Sequence, residues 1–179
     1  MTKNVLVISS SLRKGSNSEA LADMFIRGAA EAGHKTEKIT LDGKQIGFCK
    51  GCLACQKTLK CVINDDSRAI TEKMLQADII AFATPVYYYG MSGQLKTVLD
   101  RANPLFSSDY KFKEIYLLAA AAEDAKTTVS GTVTGIQGWV DCFGKAEFKK
   151  TIFAGGVNST GDIAGHKALN EAYEVGLKL

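Results

Sequence analysis

The sequence lacks the features that mark linkers between domains or membrane-spanning segments. Only two of its 179 residues are prolines, Pro85 and Pro104, so no proline-rich linker is present. There is no repeat, no low-complexity tract and no apolar stretch of membrane-spanning length. Hydrophobic residues make up 46% of the chain and charged residues 23%, as in ordinary globular proteins. We expect one domain over residues 1–179.

Several functional classes find no support in the chain. A formal net charge of +3 is too small to indicate nucleic acid binding, and no Lys/Arg cluster with interleaved aromatics is present. The first residues run directly into an apolar segment, without the regions of a signal peptide. We expect a cytoplasmic protein with no nucleic acid or membrane partner. Its five cysteines are then expected to be thiols or metal ligands, since structural disulfides are rare there.

The segment that follows the first apolar run predicts an anion site. Asn4–Ile8 reads as a buried strand, and residues 9–18 are rich in hydroxyl groups with one arginine. A helix follows, with apolar side chains at helical spacing: Leu21, Met24, Phe25 and Gly28. Unpaired N–H groups and the dipole at a helix N-terminus attract anions. The loop carries neither dinucleotide-binding nor P-loop glycines, which favours a single phosphate group; an ordinary surface loop capped by Ser18 is the alternative.

Strand and helix patterns alternate along the whole chain. Apolar or alternating runs predict strands at 4–8, 35–41, 78–84, 114–121 and 151–154. Helical spacing predicts helices after residue 18 and near 67–77, 92–101, 129–143 and 165–178. A cysteine-bearing connection spans 44–66. This order predicts a three-layer α/β/α, flavodoxin-like fold with a five-stranded parallel sheet in the order 2-1-3-4-5. Its ligands would bind beyond the carboxyl ends of the strands.

A second loop is expected at that edge, after the third strand. Residues 85–90 follow this strand as Pro-Val-Tyr-Tyr-Tyr-Gly. The proline stiffens the turn, and three consecutive tyrosines cannot all point inward. A flat ring at the sheet edge could stack on a flat ligand, or it could cover the sheet end or form a dimer contact. Beside a single-phosphate site, a flat phosphorylated cofactor is favoured.

Here the sequence resembles the NAD(P)H-dependent FMN reductases. Residues 10–18 resemble the phosphate loop of that family and residues 84–96 its flavin-ring loop, and the likeness runs from about Asn4 to Gly156. It implies FMN as cofactor, NAD(P)H as electron donor, a small-molecule or protein electron acceptor, and a homodimer or homotetramer. Where family loops often read Gly-Ser-Pro-Arg, Ser10 and Leu12 replace the glycine and the proline.

The resemblance also implies a set of cofactor-binding residues and no catalytic side chain. The FMN phosphate would be held by Ser11, Arg13, Asn17, Ser18 and the backbone of Ser16. The isoalloxazine would be lined by Pro85, Val86, Tyr87, Tyr88 and Gly90. Its other side would be bordered by residues Ala121 to Glu123.

A cysteine motif is the second signal. Cys49, Cys52, Cys55 and Cys61 have x2, x2 and x5 spacing, which suits the four ligands of a [4Fe–4S] cluster better than paired zinc knuckles. The spacing resembles that of the iron–sulfur flavoproteins, but thiols without a metal are the favoured interpretation. We expect Cys142 to lie in the core on a helix, and His34 and His166 to lie on the surface.

Together these observations predict an FMN-dependent NAD(P)H oxidoreductase of the flavin, quinone or azo reductase type. Hydride would pass from the nicotinamide to FMN and then to an acceptor. Two other classes stay open. One is an iron–sulfur flavoprotein that carries electrons with FMN and a cluster on the four motif cysteines. The other is a flavin- or thiol-sensing module without enzymatic activity.

Overall fold

In the computed structural model, which describes residues 1–179, five parallel strands form the centre of the fold. With one short antiparallel strand, the structure has six strands in all: β1 (Asn4–Ser9), β2 (Lys35–Thr40), β3 (Ile79–Tyr87), β4 (Gly90–Met91), β5 (Glu114–Ala120) and β6 (Glu147–Ala154). The parallel sheet has the order β2-β1-β3-β5-β6, and the two-residue β4 pairs antiparallel with the end of β3. The predicted fold and strand order are therefore confirmed, with β4 as a small addition.

Helices cover both faces of the sheet. They are α1 (Asn17–Glu31), α2 (Ala54–Thr58), α3 (Ser67–Gln76), α4 (Gly93–Arg101), α5 (Ser130–Val140) and α6 (Lys167–Leu177), with 3₁₀ turns at Asn103–Ser107 and Lys126–Val129. Apolar side chains of α1 and α6 pack on one face of the sheet, and those of α3, α4 and α5 pack on the other. The central strands β1, β3 and β5 are buried on both sides, which explains their continuous apolar sequences. No helix is both long and apolar enough to cross a membrane.

Three predicted boundaries were wrong for identifiable reasons. The segment 85–90 is not a loop, because β3 continues through Pro85 to Tyr87 and turns back into β4. The last strand begins at Glu147 instead of residue 151, since its first residues lie at the exposed edge of the sheet and are polar. The helix predicted at 129–143 ends at Val140 and starts with a 3₁₀ turn.

Two glycines allow α1 and α6 to pack backbone to backbone. A Cβ atom built on Gly28 of α1 would lie 2.1 Å from the carbonyl oxygen of Tyr173, and one built on Gly176 of α6 would lie 2.2 Å from that of Phe25. Both distances are far inside van der Waals contact. Glycine costs helix stability at these positions, and the close approach of the two helices offsets that cost.

We predict opposite effects for two Gly→Ala substitutions within helices. Gly28→Ala forces the two helices apart and should lower the free energy of unfolding by about 1–3 kcal/mol. Gly138→Ala in α5, where a Cβ atom meets nothing within 4 Å, is the matched control and should raise it by roughly 0.5–1 kcal/mol. Urea unfolding measures both values. A Gly28→Ala variant as stable as the control would contradict the close helix contact.

Candidate functional site

Buried hydroxyl groups connect the carboxyl ends of β1 and β3. The Ser92 hydroxyl donates to the Ser10 hydroxyl at 2.9 Å, and Ser10 donates to the carbonyl oxygen of Ala83 at 3.0 Å. The Ser92 N–H donates to the Thr84 hydroxyl at 3.1 Å. All three hydroxyl-bearing side chains are buried, so each needs its partner. The loop after β1 and the hairpin after β3 are thus fixed to one another.

The loop after β1 places several hydroxyl groups at the N-terminus of α1. Ser16 is the N-cap: its hydroxyl accepts the Glu19 N–H at 3.2 Å, and it lies 3.4 Å from the Ser18 hydroxyl. The alternative role for Ser18 as N-cap is therefore wrong, because the helix begins two residues earlier than that interpretation required. The hydroxyl of Ser11 accepts the Arg13 N–H at 3.2 Å and rounds the loop. Ser11, Ser16 and Ser18 are buried beside the first turn of the helix, where N–H groups lack helical acceptors.

These residues and the hairpin line one cavity of about 310 Å³ at the carboxyl edge of the sheet. Its walls are Ser11, Arg13, Ser16, Asn17, Ser18, Pro85, Val86, Tyr87, Tyr88, Ala120, Ala121, Ala122, Val157, Asn158 and Thr160. The wall therefore includes a guanidinium group and a helix N-terminus and no carboxylate. Such a cavity favours a ligand with an anionic end.

The loop after β6 closes one side of this cavity, and sequence reasoning missed it. Arg13 donates through Nη1 to the carbonyl oxygen of Asn158 at 3.1 Å. Asn17 donates to the carbonyl oxygen of Ser159 at 2.9 Å and accepts the N–H of Ile163 at 3.3 Å. The side chain of Asn17 thus holds this loop in place. The carboxyl ends of parallel strands lie at one edge of the sheet, so the sequence position of this loop, directly after the fifth parallel strand, could have predicted its place beside the cavity.

The tyrosine segment is a tight hairpin in a rare backbone conformation. Val86 pairs with Met91 and Tyr87 pairs with Gly90, which leaves Tyr88 and Tyr89 as a two-residue turn. Their φ angles are +47° and +64°, as a type I′ turn requires, although glycine and asparagine normally occupy such positions. The turn leaves the side chain of Tyr88 fully exposed at the rim of the cavity.

Two predicted cofactor residues, Gly90 and Glu123, lie outside the cavity wall. Gly90 is in β4, where it pairs with Tyr87. Glu123 accepts the hydroxyl proton of Tyr89 at 3.1 Å and that of Thr128 at 3.2 Å. The hydrogen bond to Glu123, with its negative charge, raises the pKa of Tyr89. Both residues therefore support the hairpin and lie outside the lining of this cavity.

The cysteine motif surrounds a second cavity, of about 480 Å³. Cys49, Cys52, Cys55 and Cys61 line it together with apolar side chains that include Phe106, Trp139 and Phe143. Cys142 lines it too: the prediction that this residue is in the core was wrong, because α5 ends at Val140 and the Cys142 side chain is exposed. No three side chains in the protein converge closely enough to hold a single metal ion.

Both histidines are only partly exposed and lie outside the two cavities. His34 accepts the Lys3 N–H through Nδ1 at 3.3 Å. His166 is the N-cap of α6 and accepts the Ala168 N–H at 3.1 Å.

Comparison with known proteins now identifies the family. Residues 3–132 match the model of the NADPH-dependent FMN reductases. The chain belongs to this family. YwqN, an inferred NAD(P)H-dependent FMN-containing oxidoreductase of Bacillus subtilis, is 30% identical over 130 residues, 68% of each chain. Membership supports FMN as cofactor and NAD(P)H as electron donor, as the sequence predicted.

Two further similarities extend this result. An iron–sulfur flavoprotein of Methanocaldococcus jannaschii is 42% identical over 101 residues, which cover 56% of this chain and 52% of that protein. The chain thus spans about half the length of the first curated relatives it matches. The solved NAD(P)H:quinone oxidoreductase from Methanothermobacter marburgensis has a TM-score of 0.80 at 17% identity, with 99% and 96% of the two chains covered, and shows the shared fold.

In this FMN reductase family member, one buried arginine anchors both ends of the cysteine segment. Arg101 of α4 donates to the carbonyl oxygens of Gly47 at 2.6 Å and Ile63 at 3.2 Å. It also donates to both carboxylate oxygens of Asp65, at 2.7 and 2.9 Å. Asp65 in turn accepts the N–H groups of Gly47 and Ser67. The chain on either side of the four cysteines is therefore fixed to the end of α4.

The charges of this pair are mutually stabilised. Burial raises the pKa of Asp65, but hydrogen bonds from Arg101 and the Gly47 N–H lower it more. The carboxyl therefore stays ionised at pH values below the ordinary pKa of an aspartate. Burial lowers the pKa of Arg101, but its hydrogen bonds to Asp65 and the negative charge of that carboxylate help to raise the pKa above its usual value. The pair thus remains charged throughout the physiological range.

We predict that Asp65→Asn lowers the free energy of unfolding at pH 7 by about 2–3 kcal/mol, because Arg101 is left buried without a counter-charge. The lowered pKa of Asp65 means that its contribution is fully present above its unfolded pKa, near 3.9, and is lost as pH falls through the folded value. The difference between the two proteins in urea unfolding should therefore shrink below about pH 4.

The neighbouring Asp66→Asn is the matched control. Asp66 is partly exposed, its carboxylate accepts the Gln45 N–H at 2.7 Å, and its closest cation is Lys44 at 3.8 Å. An asparagine oxygen can accept the same N–H, so this variant should lose only the exposed ion pair, less than about 1 kcal/mol. Equal losses in the two variants would show that the buried pair does not anchor the segment.

Proposed function

We propose that this protein binds FMN in the cavity between the α1 N-terminus and the tyrosine hairpin, and that it is an NAD(P)H-dependent oxidoreductase. The observation that carries this proposal is the composition of the cavity wall. One end presents hydroxyl groups, a helix N-terminus and Arg13 without any carboxylate, and the other presents a proline, two tyrosines and small apolar residues. A ligand with one phosphate and one flat ring system matches both ends.

At the phosphate end, the donors are already held in position. Ser11, Ser16 and Ser18 are buried in the loop, and the dipole of α1 points its positive end at the cavity. The side-chain amide of Asn17 is already hydrogen-bonded to the loop after β6. We therefore assign the backbone N–H of Asn17 to the phosphate. Arg13 lies across the loop and supplies the positive charge for a charge-assisted hydrogen bond.

At the ring end, the cavity is lined by larger side chains from β3 and by small side chains from the end of β5. Pro85, Val86 and Tyr87 come from the end of β3. Opposite them, Ala120 to Ala122 carry only methyl side chains, which leaves room for a ring to lie across the end of β5. The rigid hairpin and the strand ends would orient the ring and restrict water on its inner face.

Bound FMN would supply the redox chemistry by accepting hydride from NAD(P)H and giving up electrons to an acceptor. The chain contributes position and exclusion of water. Arg13, Tyr87 and Tyr88 are the only ionisable groups in the wall, and none is needed as a proton donor for hydride transfer. Alignment of the donor carbon over the ring is then the main contribution of the protein.

The open side of the cavity is the basis for proposals about the electron acceptor and the oligomeric state. Tyr87, Tyr88 and Tyr89 expose their rings beside it, and such aromatic surface is typical of interfaces. We propose a homodimer or homotetramer in which this hairpin is at an interface, and a small acceptor of the quinone, azo or flavin type that uses the ring face vacated by the nicotinamide.

A second candidate function is electron carriage through FMN and a [4Fe–4S] cluster. It is favoured by the four motif cysteines, which line one cavity and are the ligand type and number that such a cluster uses; binding would draw their sulfur atoms together around it. The M. jannaschii relative carries the name iron–sulfur flavoprotein. Cys49, Cys52, Cys55 and Cys61 would hold the cluster, which would supply one-electron transfer. The two functions are compatible in a single chain.

The reductase proposal predicts rapid bleaching of the flavin. FMN-loaded protein mixed anaerobically with NADH or NADPH in a stopped-flow instrument should lose its flavin absorbance near 450 nm in a single turnover, at a rate on the order of 1–1000 per second. Reoxidation by a quinone or an azo dye should then restore the colour. A flavin that neither nucleotide reduces, but that a reduced iron–sulfur donor does, would favour the carrier function alone.

The phosphate assignment predicts a ligand-dependent effect of Arg13→Ala. Loss of one charge-assisted contact should weaken FMN binding by roughly tenfold and leave the binding of riboflavin, which has no phosphate, unchanged. Lys14→Ala is the matched control, because Lys14 is exposed and lies outside the wall. Fluorescence titration measures all affinities. Unchanged FMN affinity in Arg13→Ala, or an equal loss for riboflavin, would contradict the assignment.

A further inference from the structure

The end of α4 brings polar N–H groups to the cysteine cavity. Asn103 is separated from the last residue of α4 by Ala102 and begins a 3₁₀ turn, and its Nδ2 donates to Cys55 Sγ at 3.0 Å. Cys55 is the one buried cysteine of the motif. A buried sulfur with a side-chain N–H donor differs from the exposed Cys49 and Cys52, which have no side-chain donor.

The position of Asn103 is well defined by its neighbours. It lies two residues beyond Arg101, whose bonds to Gly47, Ile63 and Asp65 fix the cysteine segment to α4. Pro104 follows and is buried, which restricts the backbone of the turn. The donor and the sulfur are thus both held to the same helix end, so their distance does not depend on a flexible loop.

We propose that Asn103 is a positioning residue that raises the reduction potential of the group bound by Cys55. This inference rests on the proposed [4Fe–4S] cluster. An N–H donor stabilises negative charge on a cysteine sulfur, and the reduced cluster carries one more negative charge than the oxidised one. Burial of Cys55 strengthens the effect, because the local dielectric constant is low. The donor therefore favours the reduced state.

The test compares variants that remove the amide donor with one that keeps it. Asn103→Leu and Asn103→Asp have side chains of similar size without the neutral N–H donor, and Asn103→Gln retains it. Asn64→Leu is the matched control, because Asn64 lies in the same segment and accepts a hydrogen bond from Arg68 without contacting a sulfur. Each protein is reconstituted anaerobically with iron and sulfide, and its iron and FMN contents are measured.

The readout is the cluster potential, followed by low-temperature electron paramagnetic resonance during a mediated dithionite titration, which separates the cluster from the flavin. Asn103→Leu and Asn103→Asp should raise the oxidised-to-reduced ratio at a fixed potential by roughly tenfold, a fall of about 59 mV for a one-electron couple. Asn103→Gln and Asn64→Leu should stay close to the unaltered protein.

The outcomes separate the inference from the function on which it rests. An unaltered protein that takes up no iron overturns both. If the protein holds iron but neither Asn103→Leu nor Asn103→Asp changes the cluster potential from that of the unaltered protein, the role of Asn103 is overturned and the cluster stays in place. If Asn103→Leu binds FMN but loses its iron, retention of iron by Asn103→Gln supports the donor role, and loss in both variants contradicts it.

Discussion

The buried hydroxyl contacts between the ends of β1 and β3 are the constraint on which both cavities depend. Ser10 continues from β1 and Thr84 lies in β3, and Ser92 bonds to both. A buried hydroxyl that loses its partner costs about 1–3 kcal/mol, so the three groups strongly favour one arrangement. That arrangement places the loop after β1 and the tyrosine hairpin on two sides of the same cavity. These short polar side chains hold the space between the two strand ends open in one shape.

The same contacts determine the direction of α4, which links the two cavities. Ser92 is the N-cap of α4, and its hydroxyl accepts the Leu95 N–H at 3.3 Å. The other end of the helix carries Arg101 and then Asn103, which fix the cysteine segment. A nine-residue helix is roughly 13 Å long, so a rigid element of that length separates the hydroxyl network from the cysteine cavity. Any change that moves the start of α4 is therefore expected to move the cysteine segment.

How far the sequence could predict this structure depends on whether a feature is local. The strand order and the position of a hydroxyl-rich loop at the start of α1 followed from continuous apolar runs and from the loop's own composition, both of which are short-range patterns. The wall formed by Val157, Asn158 and Thr160 was missed, because it depends on contacts from Arg13 and Asn17 to residues more than 140 positions away. Cys142 was misplaced for the same reason: the sequence shows a helical pattern but not where the helix ends or which cavity it borders.

The hairpin after β3 could not be predicted, since its turn contradicts local preference. Tyr88 and Tyr89 both adopt positive φ angles, which cost on the order of 1 kcal/mol or more each for a residue with a Cβ atom. Asn-Gly would form the same turn without that cost. The fold compensates around Tyr89: its hydroxyl donates to Glu123, and Gly131 of α5 allows its carbonyl oxygen to approach where a Cβ atom would lie at 2.4 Å. Tyr88 has no such compensation and is fully exposed. A strained turn that presents an unsupported ring beside a cavity is better explained by contact with a ligand or a second subunit than by stability of the isolated chain.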